Sequence, residues 1–340
     1  MDSSRSPAAR PAGRTLDWLR KLLGRSAPPP ARPDAKPAGR VFDCFMFSTE
    51  LDVLEVRLAE LAPVVDFFVL LEAPITHQGK PKPLHFADNA RRFERFRHKI
   101  RHVVVNDMPV GEDHWRRERH QRNALRGAIT DAAPDDLVVV SDVDEIPRAG
   151  TIALARDKQG FVFLELALNY YYFNLTAGPW LKAYAAPKQV IDRMEDLALP
   201  RWQELAYLDQ IGRAADDAVI RDAGWHFTWQ GGVTAIMSKL DAFAHAEFQP
   251  LRNAVLIERA MQDRRFFIGN EALSEMPTDR LPATVRENLA HYRQKGCLAP
   301  AQEERTGARS GAARPLGERL GEAVAGDAAA VEAPSPSLSP

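Results

Sequence analysis

The segment "DDLVVVSDVDEIPRAG", residues 135–150, combines a strand pattern with a dense group of acidic side chains. Its apolar run is typical of a buried strand. The run is followed at once by Ser141, Asp142, Asp144 and Glu145. Carboxylates this close together repel one another and lose hydration when they are covered, so a compensating positive charge is required. The sequence therefore predicts a bound cation at the end of this strand.

Segments with strand and helix patterns alternate along the chain up to this run. The predicted strands are "VFDCFMF" (41–47), "DFFVLLEA" (66–73), "RHVVVND" (101–107) and "DLVVVSD" (136–142). The predicted helices are one capped by Ser48 or Thr49 with Leu51, Leu54, Leu58 and Leu61 on one stripe, then "NARRFERFRHKI" (89–100) and "HWRRERHQRNALRGAI" (114–129). This alternation predicts an α/β fold, with a mostly parallel sheet covered by helices on both faces. Ligands of such sheets bind beyond the carboxyl ends of the strands, where the acidic group lies.

Composition excludes several classes of protein. The 340 residues include 45 Lys and Arg against 46 Asp and Glu, a formal charge of -1, so there is no overall basic field and we expect no nucleic-acid partner. Cys44 and Cys297 form neither a disulfide framework nor a metal-ligand pattern, which favours a cytoplasmic location. No apolar stretch is long enough to span a bilayer.

The ends of the chain differ in composition from its centre. Residues 26–40 are rich in Pro and Ala, and residues 299–340 are similarly poor in large apolar side chains, so we expect disordered tails at 1–40 and 299–340 around one domain at 41–298. Within the first tail, "TLDWLRKLLGR" (15–25) has apolar and basic residues at helical spacing. This segment fits peripheral contact with the inner face of a membrane, a short solvated helix or a partner contact.

The two aspartates of "SDVDEIP" and one histidine suggest metal chemistry. Hard oxygen ligands such as Asp142 and Asp144 suit Mg²⁺ or Mn²⁺, which commonly bridge to substrate phosphates. An acidic turn ended by Pro147 is the alternative interpretation. His226, in "GWHFTWQG" (224–231), stands between two tryptophans and can complete a metal site or donate to a phosphate. A buried core histidine, with aromatic neighbours that are core or that stack on a sugar, is the other interpretation.

Several blocks together resemble the family 17 glycosyltransferases, the family of the bisecting N-acetylglucosaminyltransferases of N-glycan synthesis. They are "FDCFMFSTELDVLEVRLAELAPVVDFFVLLEAPITHQGKPKPLHF", "VVVSDVDEIP", "YYYFN", "GWHFTW" and "KLDAFAHAEF", in this order. The resemblance implies a GT-A-like fold, a UDP-sugar donor such as UDP-N-acetylglucosamine, a divalent cation (Mn²⁺ or Mg²⁺), and inverting transfer that forms a β-linkage on a glycan or glycoconjugate. Ser141 stands where animal members carry another acidic residue. The Ala-, Arg- and Pro-rich composition suggests a bacterial member with a different acceptor.

Such a transfer assigns roles to particular side chains. Asp142, Asp144 and His226 are the predicted metal ligands, with Asp144 as the principal one, and the metal that they hold is expected to neutralise charge on the departing UDP. Inversion requires a carboxylate base on the face opposite the leaving group. Glu247, in "FAHAEF", is the candidate for this base, with Asp209 and Glu165 as rivals.

The nucleotide requires further contacts at the ends of the first strands. The residues expected there are Glu50, Glu72, Lys82, Arg122 and Asn123, together with Asp142. Each also has a structural interpretation, such as a helix-end charge, a solvated loop charge or a salt-bridged helix face. Two other functions use part of the same pattern. They are a metal-dependent nucleotidyltransferase, for which the acidic "STELD" is a poor phosphate loop, and a non-catalytic carbohydrate-binding protein, which does not need the two aspartates.

Overall fold

The computed structural model describes residues 39–158 and 160–300. The amphipathic segment 15–25 and nearly all of the predicted disordered tails lie outside these residues. At the inner ends of the predicted tails, Arg40 pairs with Asp136 at 2.9 Å, and the N–H of the buried Ala299 donates to Asn174 at 2.8 Å. No helix in the described ranges is both long enough and apolar enough to cross a membrane. The cytoplasmic location, the membrane contact and the domain boundaries therefore stay predictions.

One mixed sheet organises the described part of the chain. Its order is β3-β2-β1-β4-β7-β6-β8-β5, and β9 pairs with β7. The strands are β1 Val41–Met46, β2 Phe67–Glu72, β3 Ile100–Val104, β4 Leu137–Asp142, β5 Glu145–Pro147, β6 Val162–Tyr170, β7 Leu175–Pro187, β8 Val219–Thr228 and β9 Ser274–Glu275.

The four predicted strands are confirmed, and they pair in parallel as β3-β2-β1-β4. Antiparallel pairs begin where β7 joins β4 and continue with β6–β7 and β5–β8, whereas β6 and β8 run parallel. The predicted α/β class therefore holds. The antiparallel pairs involve the strands that follow β4 in the chain, whose pairing the sequence pattern does not specify.

Helices in the segments that connect these strands cover the sheet. The α-helices are Leu51–Leu61, His85–Asp88, His114–Asn123, Leu125–Ala128, Ala149–Asp157, Lys188–Arg193, Leu199–Gln203, Leu205–Gln210, Ala215–Ala218, Gly232–Leu240, Ala254–Asp263, Ala283–Glu287 and Leu289–Gln294. Within residues 39–158 and 160–300, three segments are 3₁₀-helices: Ala90–Lys99, Ala246–Leu251 and Thr278–Arg280.

Three local predictions need correction. The segment predicted as a regular helix at 89–100 is a 3₁₀-helix with a kink at Phe93, where the backbone leaves helical φ/ψ values. The segment predicted as one helix at 114–129 is two helices that meet at Ala124. The predicted cap at Ser48 or Thr49 is wrong. Glu50 is the N-cap of the next helix, and its own carboxylate accepts hydrogen bonds from the N–H groups of those two residues.

Side chains of β1 show how both faces of the sheet are covered. Val41 and Phe45 pack with the leucines of the Leu51–Leu61 helix, whereas Phe42 and Cys44 pack on the other face with Leu125 and its neighbours. Successive strand residues point to opposite faces, so β1 is apolar on both sides. Cys44 is buried, and both cysteines are free thiols.

The acidic group lies where the sheet curls back on itself. Only Val143 and Asp144 separate β4 from β5, yet β4 pairs with β7 and β5 pairs with β8, at opposite sides of the β7-β6-β8 group. The close approach of β5 requires a glycine on β8. A Cβ added to Gly224 would lie 2.1 Å from the carbonyl oxygen of Ile146. This curl places the turn after β4 next to the end of β8.

Candidate active site

A buried arginine fixes the turn after β4. Arg57, from the Leu51–Leu61 helix, donates two hydrogen bonds to Asp43 of β1, at 2.8 and 2.6 Å. The same guanidinium donates to the carbonyl oxygens of Asp142 (2.8 Å) and Glu145 (2.7 Å) and to the hydroxyl of Ser141 (2.7 Å). Arg57 and Asp43 are fully buried. The shape of the acidic turn is thus set by a charge pair below it.

Asp142 is bound by two other arginines. Its Oδ1 accepts from Arg122 at 2.8 Å, and its Oδ2 accepts from Arg201 at 2.6 Å. Burial alone would raise the pKa of this carboxyl group, but the charges of Arg122 and Arg201 outweigh burial and hold the pKa at about 2. Asp142 is therefore an anion at neutral pH, and protein cations already compensate its charge.

Glu145 supports this arrangement from inside the fold. Its two oxygens accept from Arg201 at 2.6 and 3.0 Å, from the indole N–H of Trp180 at 2.6 Å and from the backbone N–H of Asp142 at 2.9 Å. The side chain is fully buried. With so many donors on one carboxylate, Glu145 holds Arg201 in place.

Asp144 faces a different pair of groups. Its Oδ2 accepts from Lys239 at 3.0 Å, and its Oδ1 lies 3.4 Å from Nε2 of His226. Burial favours the neutral acid, but Lys239 and His226 lower the pKa of Asp144 far below its ordinary value. Strand pairing brings the groups together, because Glu145 is opposite His226 and the N–H of Phe227 donates to the carbonyl of Asp144 at 2.8 Å.

His226 occupies a wall of the site, although its aromatic neighbour is not the predicted one. The ring that contacts its imidazole is Trp180, at 4.6 Å between centroids. Trp225 and Trp229, which flank it in the sequence, are buried in core clusters instead. Nδ1 of His226 is buried and has no hydrogen-bond partner among the described residues.

These side chains fit a divalent cation in part. Asp144 Oδ1 and His226 Nε2 are 3.4 Å apart, close to the separation of neighbouring ligands around one octahedral ion, about 3 Å for bonds of 2.1 Å. A carboxylate oxygen and an imidazole nitrogen also suit Mn²⁺ or Mg²⁺. Asp142 instead directs both oxygens to arginines. No group of three or more His, Cys, Asp or Glu side chains within residues 39–158 and 160–300 is arranged to hold a metal.

The structure brings several predicted nucleotide-binding residues to the same edge of the sheet. Glu72, at the end of β2, accepts from the N–H of Phe86 at 3.1 Å and lies 3.1 Å from His102 and 3.5 Å from Lys82. Burial alone would raise the pKa of Glu72, but the hydrogen bonds from His102 and Phe86 and the charge of Lys82 lower it. Burial lowers the pKa of Lys82, and the charges of Glu72 and Glu50 oppose this only in part. Burial would also lower the pKa of Lys239, but the charges of Asp144 and Glu50 outweigh it and raise that pKa.

Arg122 and Asn123 are adjacent in sequence but have different surroundings. Arg122 is buried, bonds Glu118 (2.9 Å) and Asp142, and keeps a buried Nη1 without a partner among the described residues. Asn123 bonds Asp196 at 2.8 Å and the N–H of Leu197 at 3.0 Å. Arg122 thus retains one buried donor without a partner among the described residues, whereas Asn123 fixes the 196–197 segment. Nucleotide binding by either residue stays a prediction.

The predicted base is not in contact with the two aspartates in the described part of the chain. Glu247 is half exposed and bonds Nδ1 of His245 at 2.6 Å. Its segment borders the loop after β2, because Gln78 donates to the carbonyl oxygens of Leu240 and Phe243 at 2.9 and 3.2 Å. The role of Glu247 stays a prediction.

For the two rival carboxylates the role of base also stays a prediction. Asp209 is exposed at the end of a short helix. Glu165 forms a surface ion pair with Arg221 at 3.1 Å.

Sequence reasoning missed three cations that organise the site: Arg57, Arg201 and Lys239. Arg57 had a signal, because it interrupts the apolar stripe of its helix while Asp43 interrupts an apolar strand. Two opposite charges in buried positions predict each other, since neither is stable alone. Arg201 and Lys239 gave no comparable signal, because they reach the aspartates only through the tertiary fold.

Comparison with known proteins gives a family match over most of the chain. A sequence model described as "Glycosyltransferase family 17" matches residues 31–278. Curated relatives in rat and human, both named beta-1,4-mannosyl-glycoprotein 4-beta-N-acetylglucosaminyltransferase, are 36% identical over 135 residues. That alignment spans 37% of this chain and 23% and 24% of the two relatives, about a quarter of their length.

Similarity to solved structures is weaker. A mannosyltransferase from Pyrobaculum calidifontis, in complex with GDP-Man and Mn²⁺, is 16% identical, with a TM-score of 0.37 over 86% of this chain and 85% of that one. Glucosyl-3-phosphoglycerate synthase from Mycobacterium tuberculosis is 13% identical, with a TM-score of 0.31 over 56% and 71%.

Proposed function

The chain belongs to glycosyltransferase family 17, and from this premise we propose that it transfers N-acetylglucosamine from UDP-N-acetylglucosamine to a glycan or glycoconjugate, with inversion and with a divalent cation. The observation that carries the proposal is the junction of β4, β5 and β8. There Asp144 and His226 approach each other to 3.4 Å, the ammonium of Lys239 pairs with Asp144, and the guanidinium of Arg122 pairs with Asp142 two residues away. Anionic and cationic groups facing one another at a strand end suit a metal–diphosphate ligand.

Asp144 and His226 would hold the divalent cation. When bound, Mn²⁺ or Mg²⁺ supplies a Lewis acid that neutralises charge on the departing diphosphate. The Nη1 donor of Arg122 is buried, and no described residue accepts a hydrogen bond from it. A buried donor without a partner is costly, so a phosphate or ribose oxygen at this position would satisfy it.

Transfer requires bond formation on one face of the sugar and bond cleavage on the other. The acceptor hydroxyl oxygen forms a bond to the anomeric carbon while the bond from that carbon to UDP breaks, and UDP leaves with the electron pair. The hydroxyl proton passes to a carboxylate, for which Glu247 is the candidate. Attack opposite the leaving group inverts the anomeric centre and gives a β-linkage from an α-linked donor.

Donor binding and donor cleavage test this function without a known acceptor. The full chain is incubated with a panel of UDP- and GDP-sugars, and nucleotide release is measured with Mn²⁺ and with EDTA. We expect metal-dependent release of UDP from UDP-N-acetylglucosamine, and at least about a hundredfold less with Asp144→Asn. Equal UDP affinity in Mn²⁺ and in EDTA, for both wild type and variant, would refute the metal site. Absence of UDP binding in both Mn²⁺ and EDTA would favour a non-catalytic carbohydrate-binding protein.

A further inference from the structure

The ammonium group of Lys239 contacts Asp144, one of the two proposed metal ligands. It lies in the last turn of the Gly232–Leu240 helix, and its Nζ donates to Asp144 Oδ2 at 3.0 Å and to the hydroxyl of Thr228 at 3.2 Å. About a quarter of its side chain is exposed. An ammonium group has three donors, so two hydrogen bonds leave one for a ligand.

The three Arg and Lys side chains that pair with Asp142 or Asp144 in the described part of the chain differ in how firmly they are held. Arg201 makes three hydrogen bonds to two carboxylates and one to the carbonyl of Lys182, and Arg122 is bonded to Glu118 and Asp142. Among the described residues, Lys239 donates hydrogen bonds to one carboxylate oxygen and one hydroxyl, and its Nζ lies 5.5 Å from the centroid of the Trp229 ring. Its flexible four-carbon stem lets the ammonium move without moving the helix. Lys239 is therefore the cation of this site that can most readily change partners.

A divalent cation on Asp144 and the ammonium of Lys239 compete for one carboxylate. Two positive charges within a few ångströms repel strongly when they are shielded from water. Metal binding to Asp144 therefore weakens its bond to Lys239. The freed ammonium then faces any anion that accompanies the metal, and the strongest such anion at this site would be a diphosphate.

We infer that Lys239 is the resident counter-ion of Asp144, that a divalent cation displaces it, and that the displaced ammonium binds the donor diphosphate. This inference rests on the proposed function, because it requires a metal and a nucleoside diphosphate at Asp144. It makes Lys239 a competitor of the metal in the free protein and a partner of the nucleotide in the complex. Its removal should consequently change the two affinities in opposite directions.

The test uses the full chain, with Mn²⁺ alone and then UDP as probes. Free Mn²⁺ is measured by electron paramagnetic resonance, and UDP binding at saturating Mn²⁺ by titration calorimetry. In Lys239→Met we expect the dissociation constant for Mn²⁺ alone to fall about tenfold or more, and that for UDP to rise by about the same factor. Thr228→Val, which loosens the ammonium but keeps it, should shift Mn²⁺ affinity in the same direction by less.

Lys295→Met is the matched control, because Lys295 pairs with Asp52 at 2.6 Å and is 33% exposed. It should leave both affinities unchanged. Weaker or unchanged Mn²⁺ binding in both Lys239→Met and Thr228→Val would overturn the inference. Removing a residue that supports the metal lowers the affinity for Mn²⁺, whereas removing a competitor raises it. If wild type binds Mn²⁺ and UDP but the variants do not diverge, only the inference fails. If wild type binds neither probe, the proposed function fails with it.

Discussion

Replacement of Arg57 by Met tests whether one buried ion pair determines the shape of the active-site turn. The change leaves Asp43 buried without its partner, and breaking such a pair costs about 3–5 kcal/mol of folding free energy. It also removes donors from the carbonyl oxygens of Asp142 and Glu145 and from the hydroxyl of Ser141. At about 1 kcal/mol for each lost hydrogen bond, the total reaches about 6–8 kcal/mol. This is a large part of the stability of an ordinary domain.

A double variant separates the two contributions. In Asp43→Val with Arg57→Met the uncompensated charge is gone, but the three hydrogen bonds that Arg57 donates are still missing. We expect it to be more stable than Arg57→Met alone by about 3–5 kcal/mol, while it remains about 3 kcal/mol below wild type. Arg92→Met is the control, because Arg92 is a partly exposed arginine that pairs with Asp52 and Glu55. Such pairs contribute about 0–1 kcal/mol.

Urea unfolding followed by tryptophan fluorescence measures these free energies, and UDP titration reports on the turn in variants that remain folded. We expect the double variant to fold but to bind UDP at least about tenfold more weakly, because the turn bearing Asp142 has lost its donors. The reasoning is refuted if Arg57→Met costs no more than Arg92→Met. It is also refuted if adding Asp43→Val does not recover stability.

Three further predictions concern other parts of the site. Gly224→Ala should destabilise the fold by about 2 kcal/mol or more because its Cβ would meet the β5 backbone, whereas Gly127→Ala, in a helix with open space around it, should be neutral or stabilising in urea unfolding. The pKa of Asp142 is lower in the folded chain than in the unfolded one, so its contribution to stability is complete above about pH 4 and is lost as the pH falls toward about 2. In urea unfolding across this range, the free energy of unfolding should depend less steeply on pH in Asp142→Asn than in wild type. Glu247→Gln should reduce sugar transfer by about 10²–10⁴-fold with little change in UDP affinity measured by calorimetry; near-normal turnover would exclude Glu247 as the base.

Local patterns in the sequence determined the first half of the fold. Apolar runs separated by helical stripes gave β1 to β4 and the parallel sheet, because residues near in sequence decide which segments bury one or both faces. The same patterns placed Asp142 and Asp144 at the carboxyl edge of that sheet. The quoted blocks were sufficient to identify the family, which the match over residues 31–278 confirms.

Only the tertiary structure decided how the acidic turn is compensated. The sequence predicted a bound cation there, and the fold supplies Arg57, Arg122, Arg201 and Lys239. Arg201 is 56 residues from Glu145, and Lys239 is 95 residues from Asp144. Such contacts depend on how β5 to β8 curl around the turn, and hydrophobic periodicity contains no information about that pairing. Electrostatic partners are selected by distance in space, so the composition of a strand end predicts that a charge is needed but not which side chain provides it.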